Sequence, residues 1–302
     1  MKPSERQAVL DAFGSVRVFA TGERRAPHKP LLLLVVLGQL QSGGAAGLSF
    51  VEVEEALRPL LERYAPPVRG RHEPKLPYWH LQSDGLWVVE GGESLPRQAG
   101  GFPRMDGLRA SQGHLPAPVA EALADSTLLE DCAKLLLDRH FPETLHAAIA
   151  DQVGLLLGDP GETSRIGRRR RDPAFRATVL RAYEHRCAVS GFRAALDGSY
   201  FGVEAAHVRA HCYEGPDDVA NGLVLTPTLH RLFDFGAWSL TDDRRVLVSS
   251  KFTGTDSATS MLRDLHGSSV RSPLPGHAAV RPAFIRWHRE DGGVFRRPAL
   301  PL

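Results

Sequence analysis

The sequence predicts a two-domain α+β chain: a mostly helical N-terminal half with one short β-hairpin, then a C-terminal strand–loop–strand–helix unit. Three observations lead there. The length of 302 residues suits two domains. Apolar residues recur at helical spacing through most of residues 3–157. After the basic, glycine- and proline-bearing stretch GDPGETSRIGRRRRD, the pattern changes to short apolar strands. The expected boundaries are 1–157 for the first domain, 158–172 for a basic linker and 173–302 for the second domain.

In chain order, Val9, Leu10, Phe13 and Val16 give residues 3–19 one helical face. TGERRAPHKP reads as a basic, proline-bounded turn. Pro30 suits the first turn of the buried helix LLLLVVLGQL, which SGG ends. A helix is expected over residues 50–64, with Val51, Leu57, Leu60 and Leu61 inward. Residues 65–77, rich in proline and arginine, read as a long loop. Residues 78–81 and 86–89 read as two strands joined by Ser83-Asp84-Gly85, because Asp-Gly between apolar runs favours a hairpin. Helices are expected at 126–140 and 142–157. Beyond the linker, Asp172 is placed to cap a helix with Pro173 at its first position and Phe175, Val179, Leu180 and Tyr183 on one face.

Composition excludes several classes. Apolar residues are 42% and charged residues 24%, as in ordinary globular protein. The longest apolar run, residues 31–37, is far short of the roughly 20 residues a membrane span needs. MKPSERQAVLDAF lacks the apolar core of a signal peptide. Cys132, Cys187 and Cys212 form no CxxC pair, so neither a disulfide framework nor a four-cysteine zinc site is expected, and a reducing cytoplasm fits. The net charge of +2 does not by itself announce a nucleic-acid partner. Arg168, Arg169, Arg170 and Arg171, however, form a run able to contact phosphates without reading sequence.

The C-terminal half carries the chemistry. Residues 203–208 suit a strand that reaches His207. Asn221-Gly222 precedes the apolar stretch 223–225, and Thr226 or Thr228 can cap a helix bearing His230. A neutral imidazole can activate water near neutral pH, and phosphodiester hydrolysis also needs a cation and a group that orients the base. His207, Asn221 and His230 can fill these roles.

CAVSG, EAAHVRAH, NGLVL and LHRLFDFGAWSL resemble the HNH nuclease family in its zinc-free form. The resemblance implies a β-hairpin and helix gripping one divalent ion, Mg²⁺ or Mn²⁺. It implies His207 as general base, His230 as metal ligand, and Asn221 orienting the base or stabilising the loop. Many relatives have Asp or His immediately before the base, where this chain has Ala206; the second ligand is open among Glu204, His211 and Asp218. Ser190 and Thr226 stand where zinc-stabilised relatives have cysteines, so no structural zinc is expected.

RRAPHKPLLLL, LPYWHLQSDGLWVV, AGGFP and LLLDRHFPETLHAAI, followed by the basic run, resemble the phosphorothioate-dependent restriction endonucleases. That family joins a sulfur-binding domain to a nuclease, and a double-stranded DNA partner follows from the resemblance. By motif position, His28 and Lys29 look like DNA-contacting residues, and Leu76, Pro77, Tyr78 and His80 like the sulfur pocket. Arg104 is a weaker phosphate candidate, with Arg24 and Arg25. Capping or solvating the next helix is an equal reading of His28 and Lys29, and Trp79 reads as core. A shallow apolar pocket suits sulfur, which is less strongly hydrated than a phosphate oxygen. The expected function is a modification-dependent restriction endonuclease. Two copies, a homodimer, would serve a double-strand break. The alternatives are an enzyme reading a methylated base and a modified-DNA binder with a decayed nuclease.

Overall fold

The computed structural model describes residues 2–68, 70–158 and 173–301. Two compact units form, an N-terminal one and a C-terminal one. In the first, α1 (Pro3–Gly14) buries Val9, Leu10 and Phe13. A small hairpin follows, β1 (Phe19–Thr21) and β2 (Arg24–Ala26). The segment read as a basic turn is therefore partly extended, and Gly22 takes the positive φ the reversal needs.

The centre of this unit is α2 (His28–Gln41), apolar around nearly its whole circumference and buried accordingly. It packs on α3 and α7. Gly38 is required on α2, because a Cβ there would lie 1.9 Å from the Val153 carbonyl oxygen. After β3 (Gly47–Ser49), α3 (Phe50–Tyr64) opens with a capping box: Ser49 accepts from the Glu52 amide while Glu52 accepts from the Ser49 amide.

Residues 78–81 are not a strand. They lie in α4 (Lys75–His80) and in a 3₁₀ turn over Leu81–Asp84, which Gly85 ends in the left-handed conformation. Four apolar-rich residues cannot separate a period of two from one of three. Tyr78 and Leu81, three apart, are the pair that is buried. Of the expected hairpin only β4 (Val88–Val89) is extended. It pairs with β5 (Gln112–His114), which also pairs with β3, giving the antiparallel order β3-β5-β4. The short helices α5 (Met105–Arg109) and α6 (Ala117–Ala122) flank β5. Asp125 then caps α7 (Ser126–His140), accepting from the Thr127 and Leu128 amides, and α8 (Glu143–Gln152) closes the unit. α8 stops five residues short of the expected 157, before Gly154 at φ 72°.

In the second unit, α9 (Pro173–Ala182) buries Phe175, Val179 and Leu180. Asp172, its expected cap, lies outside the described residues, as do 159–171 of the expected linker. A hairpin of β6 (Ala194–Leu196) and β7 (Ser199–Phe201) leads to the antiparallel pair β8 (Glu204–His207) and β9 (Gly222–Leu225). Then come α10 (Pro227–Asp234), the pair β10 (Trp238–Leu240) and β11 (Val246–Val248), α11 (Asp256–Arg263) and α12 (Pro282–Arg286). One apolar core joins α9, β8, β9 and α10, including Val179, Val224, Phe233 and Trp238. The indole Nε1 of Trp238 donates to the Leu229 carbonyl (3.0 Å), fixing α10 on β10. No helix among the described residues is long and apolar enough to cross a membrane.

Candidate functional sites

β8, β9 and α10 form a ββα unit, and the register sets His207 opposite Gly222 and Glu204 opposite Leu225. α9 packs across the start of β9 so closely that a Cβ on Gly222 would lie 2.6 Å from Val179 Cγ2. The His207 ring, 9% exposed, stacks on Phe175 of α9 with centroids 4.1 Å apart and planes 13° apart. Its Nε2 lies 2.7 Å from Asp217 Oδ1. The sequence reading did not single out Asp217. It stands beside the chemically identical Asp218, and only the loop geometry separates them.

Asn221 has no solvent exposure. Its Oδ1 accepts from the Arg209 amide (2.8 Å), and its Nδ2 donates to the carbonyls of Arg209 and Pro216 (both 3.0 Å). Its backbone carbonyl accepts from Val208, and its backbone amide donates to the Asp218 carbonyl (both 2.8 Å). One residue thus closes the loop between the strands. The loop also needs Gly215, where a Cβ would lie 1.7 Å from the Arg209 oxygen.

Thr226 caps α10, accepting from the Leu229 amide, and Pro227 occupies the first helical turn. This orients His230 towards β8, with its Nδ1 2.8 Å from Glu204 Oε2 and its Nε2 3.5 Å from Asp234 Oδ2. The hydrogen bond to His230 holds the Glu204 carboxyl below its usual range, against the opposing effect of burial. Asp234, four residues after His230 on the same helix, was not identified from sequence although its spacing was a usable signal. Of the other candidate ligands, Asp218 accepts from the Ala220 amide (3.0 Å), a capping role. The His211 ring lies 6.0 Å from that of His207.

Among the described residues no group of three or more His, Cys, Asp or Glu side chains is gathered as a metal cage. The pair of His230 and Glu204 instead offers one imidazole nitrogen, a donor for borderline ions, and one carboxylate oxygen, the donor taken by a hard cation such as Mg²⁺. Such an ion keeps several waters and takes only one or two protein ligands beside substrate phosphate.

In the N-terminal unit, the expected contact residues separate into interior and surface. Lys29 donates to Asp84 Oδ2 (2.5 Å), with side chains 14% and 3% exposed. His28 Nε2 lies 3.1 Å from His72 Nδ1, and burial, with the His72 charge added, pushes the His28 pKa down to about 4. Pro77 and Tyr78 are buried, so they give the expected pocket no open surface. The Tyr78 hydroxyl lies 3.0 Å from Ser111 Oγ. Leu76 and His80 do face outward. Burial and the charge of Lys29 hold His80 below the usual imidazole range. Beside them, Lys75 lies over the Phe102 ring (5.9 Å) and Arg97 over the half-buried Trp79 (5.3 Å), cation–aromatic contacts not expected from sequence. Arg104 is exposed and ion-paired with Asp106 (3.1 Å). Arg24 is exposed and Arg25 half-buried. Arg168, Arg169, Arg170 and Arg171 lie outside the described residues.

Residues 6–157, half of the chain, match the family model described as the ScoMcrA-like DNA sulfur-binding domain. The chain belongs to that family. Behind the sulfur-binding domain, residues 187–241 match an HNH endonuclease family, and this span contains His207, Asn221 and His230. A solved structure of the sulfur-binding domain of ScoMcrA complexed with phosphorothioated DNA is 27% identical, covering 48% of this chain and 94% of that one, with a TM-score of 0.44. The corresponding domain of SprMcrA, also complexed with phosphorothioated DNA, is 22% identical, covering 50% and 94%, with a TM-score of 0.41. A structure of the type IV phosphorothioation-dependent restriction endonuclease ScoMcrA is 26% identical with a TM-score of 0.40; the match covers 51% of this chain and only 32% of that one. No curated protein matches the chain.

Proposed function

We propose that the chain is a modification-dependent restriction endonuclease. Residues 1–157 bind double-stranded DNA carrying a phosphorothioate, and residues 173–302 hydrolyse a phosphodiester bond nearby. The observation that carries this reading is the presence, in one chain, of a sulfur-binding family match over residues 6–157 and an HNH match over residues 187–241.

On the recognition side, Leu76 and His80 supply the open surface of the sulfur pocket, and Pro77 and Tyr78 support it from beneath. Arg104 and the neighbouring Lys75 and Arg97 supply positive charge for the backbone. Lys29, engaged with Asp84, and His28, paired with His72, fasten the start of α2 to the segments before and after α4, beside that surface. Arg168, Arg169, Arg170 and Arg171 add sequence-blind phosphate contacts, which make affinity fall with salt.

On the nuclease side, His207 accepts the proton of the attacking water, and Asn221 keeps the loop beside it closed. Glu204 and His230 would hold the divalent cation, which when bound supplies positive charge to the phosphate and the leaving oxygen. Cutting both strands calls for two copies, because one such site cuts one strand.

The test is a matched pair of binding and cleavage assays on duplexes differing in one phosphorothioate, with Mg²⁺ or Mn²⁺ present or chelated. Selective binding with metal-dependent cutting is expected, and His207→Ala should bind normally and not cut. Ala206, at the position where many HNH proteins have a ligand, supports a second reading: selective binding without cutting would identify a reader with an inactive nuclease. Preference for a methylated base over the phosphorothioate would redirect the recognition half.

A further inference from the structure

We propose that Asp217 is the positioning residue of His207, and that Asn221 acts by presenting it. The proposal rests on the reading of His207 as the base.

The geometry converges on Asp217 from both sides. Asn221 holds the carbonyl of Pro216 with its side-chain amide (3.0 Å) and the carbonyl of Asp218 with its backbone amide (2.8 Å). The carbonyls of the residues on either side of Asp217 are therefore both held by one buried residue. That residue also binds Val208 and Arg209, the two positions that follow His207, through its own carbonyl and Oδ1 (both 2.8 Å). Asn221 thus sets the distance between two chain segments ten residues apart in sequence, and the result is the 2.7 Å contact of Asp217 Oδ1 with His207 Nε2. Phe175, stacked on the imidazole, fixes the ring plane, so Asp217 selects the rotation within it. The carboxylate is 18% exposed and the ring 9%, so water competes weakly for this contact.

The chemical consequence is a choice of tautomer. A carboxylate accepts only, so the neutral imidazole places its proton on Nε2 and its lone pair on Nδ1. Nδ1 is then the atom that takes the proton of the attacking water, and Asp217 stabilises the imidazolium that results. An asparagine at 217 could donate its amide to Nε2 instead, stabilising the tautomer whose Nδ1 already carries a proton.

The experiment compares the full chain with Asp217→Asn and His207→Ala. It measures affinity for a phosphorothioate duplex, single-turnover cutting with Mg²⁺, and the His207 tautomer by ¹⁵N-resolved imidazole NMR, with circular dichroism as the folding control. The wild-type ring should show the proton on Nε2. Asp217→Asn should bind within about twofold, cut roughly 100-fold more slowly, and populate the Nδ1–H form. Near-normal cutting by Asp217→Asn beside an inactive His207→Ala would overturn the positioning role and leave the nuclease reading intact. Normal cutting by His207→Ala would overturn both. A wild-type His207 protonated on Nδ1, a result independent of any variant's folding, would also overturn the proposal.

Discussion

Replacing Asn221 with alanine removes three side-chain hydrogen bonds from a residue with no solvent exposure. The Arg209 amide and two carbonyls, those of Arg209 and Pro216, lose the partner that the buried side chain supplied. At about 1 kcal/mol for each net bond, the loss amounts to about 3 kcal/mol, an order-of-magnitude figure. The backbone bonds of residue 221 to Val208 and Asp218 survive the substitution, so the effect should stay local to the loop. The chain has two compact units, so a single global unfolding free energy would mix their contributions. Hydrogen exchange at the Arg209 amide is the better assay, because that amide donates directly to Asn221 Oδ1. A local loss of about 3 kcal/mol corresponds to exchange roughly 100-fold faster. Asn221→Asp is an informative companion: it keeps an acceptor for the Arg209 amide but aims a charged oxygen at two carbonyls, so it should be at least as damaging. Exchange in Asn221→Ala within threefold of wild type would refute the reasoning, since it would mean that the loop stays closed without the side chain.

Two further outcomes follow from burial. Ser111 Oγ donates to the Leu108 carbonyl (2.7 Å), which leaves the Tyr78 hydroxyl to donate to Ser111. Tyr78→Phe should therefore cost about 1 kcal/mol of stability and leave affinity for phosphorothioate DNA unchanged; a tenfold loss of affinity at normal stability would place Tyr78 in contact with DNA. His288, 2% exposed and bonded to Ser239 Oγ and the Phe233 carbonyl, has its pKa pushed down to about 3 by burial. The unfolded chain therefore takes up this proton first as pH falls, so stability is full above the ordinary value of 6.5 and is lost between 6.5 and 3. The loss at pH 5 is about 2 kcal/mol. The melting temperature should fall from pH 7 to pH 5, and His288→Gln should flatten that dependence; parallel curves for the two proteins would count against it.

The helices were legible where start signals and periodicity agreed. Helices form over 50–64 and 126–140 as the apolar spacing predicts, except that Val51, expected inward, is 42% exposed and Val53 takes the buried position. β9 was legible as an apolar run after Asn221-Gly222, and β8 as the stretch 203–208 that a polar loop follows. Residues 78–81 failed because the decisive partner of β4 is β5, more than twenty residues further on, and no local pattern announces it. The same limit applies at the site. His207, Asn221 and His230 stood out because their order suits a known chemistry. Asp217 did not, since a carboxylate's value as a partner depends on which way a loop presents it. His72 could not have been matched to His28, 44 residues away, from sequence. Lys29 has a readable charge but an unreadable destination, the nearly buried Asp84.

Ala206 bears on how such a site could change over evolutionary time. It is 1% exposed and pairs with Leu223, so a carboxylate introduced there alone would enter a packed apolar layer. Glu204 lies two residues earlier, and alternation along a strand puts residues 204 and 206 on the same face. A donor can therefore move by two residues and still face the helix that bears His230. For the cation ligand proposed at Glu204, relocation along β8 would come in a step of two, and a carboxylate at 206 would need room made in the layer that Ala206 now fills.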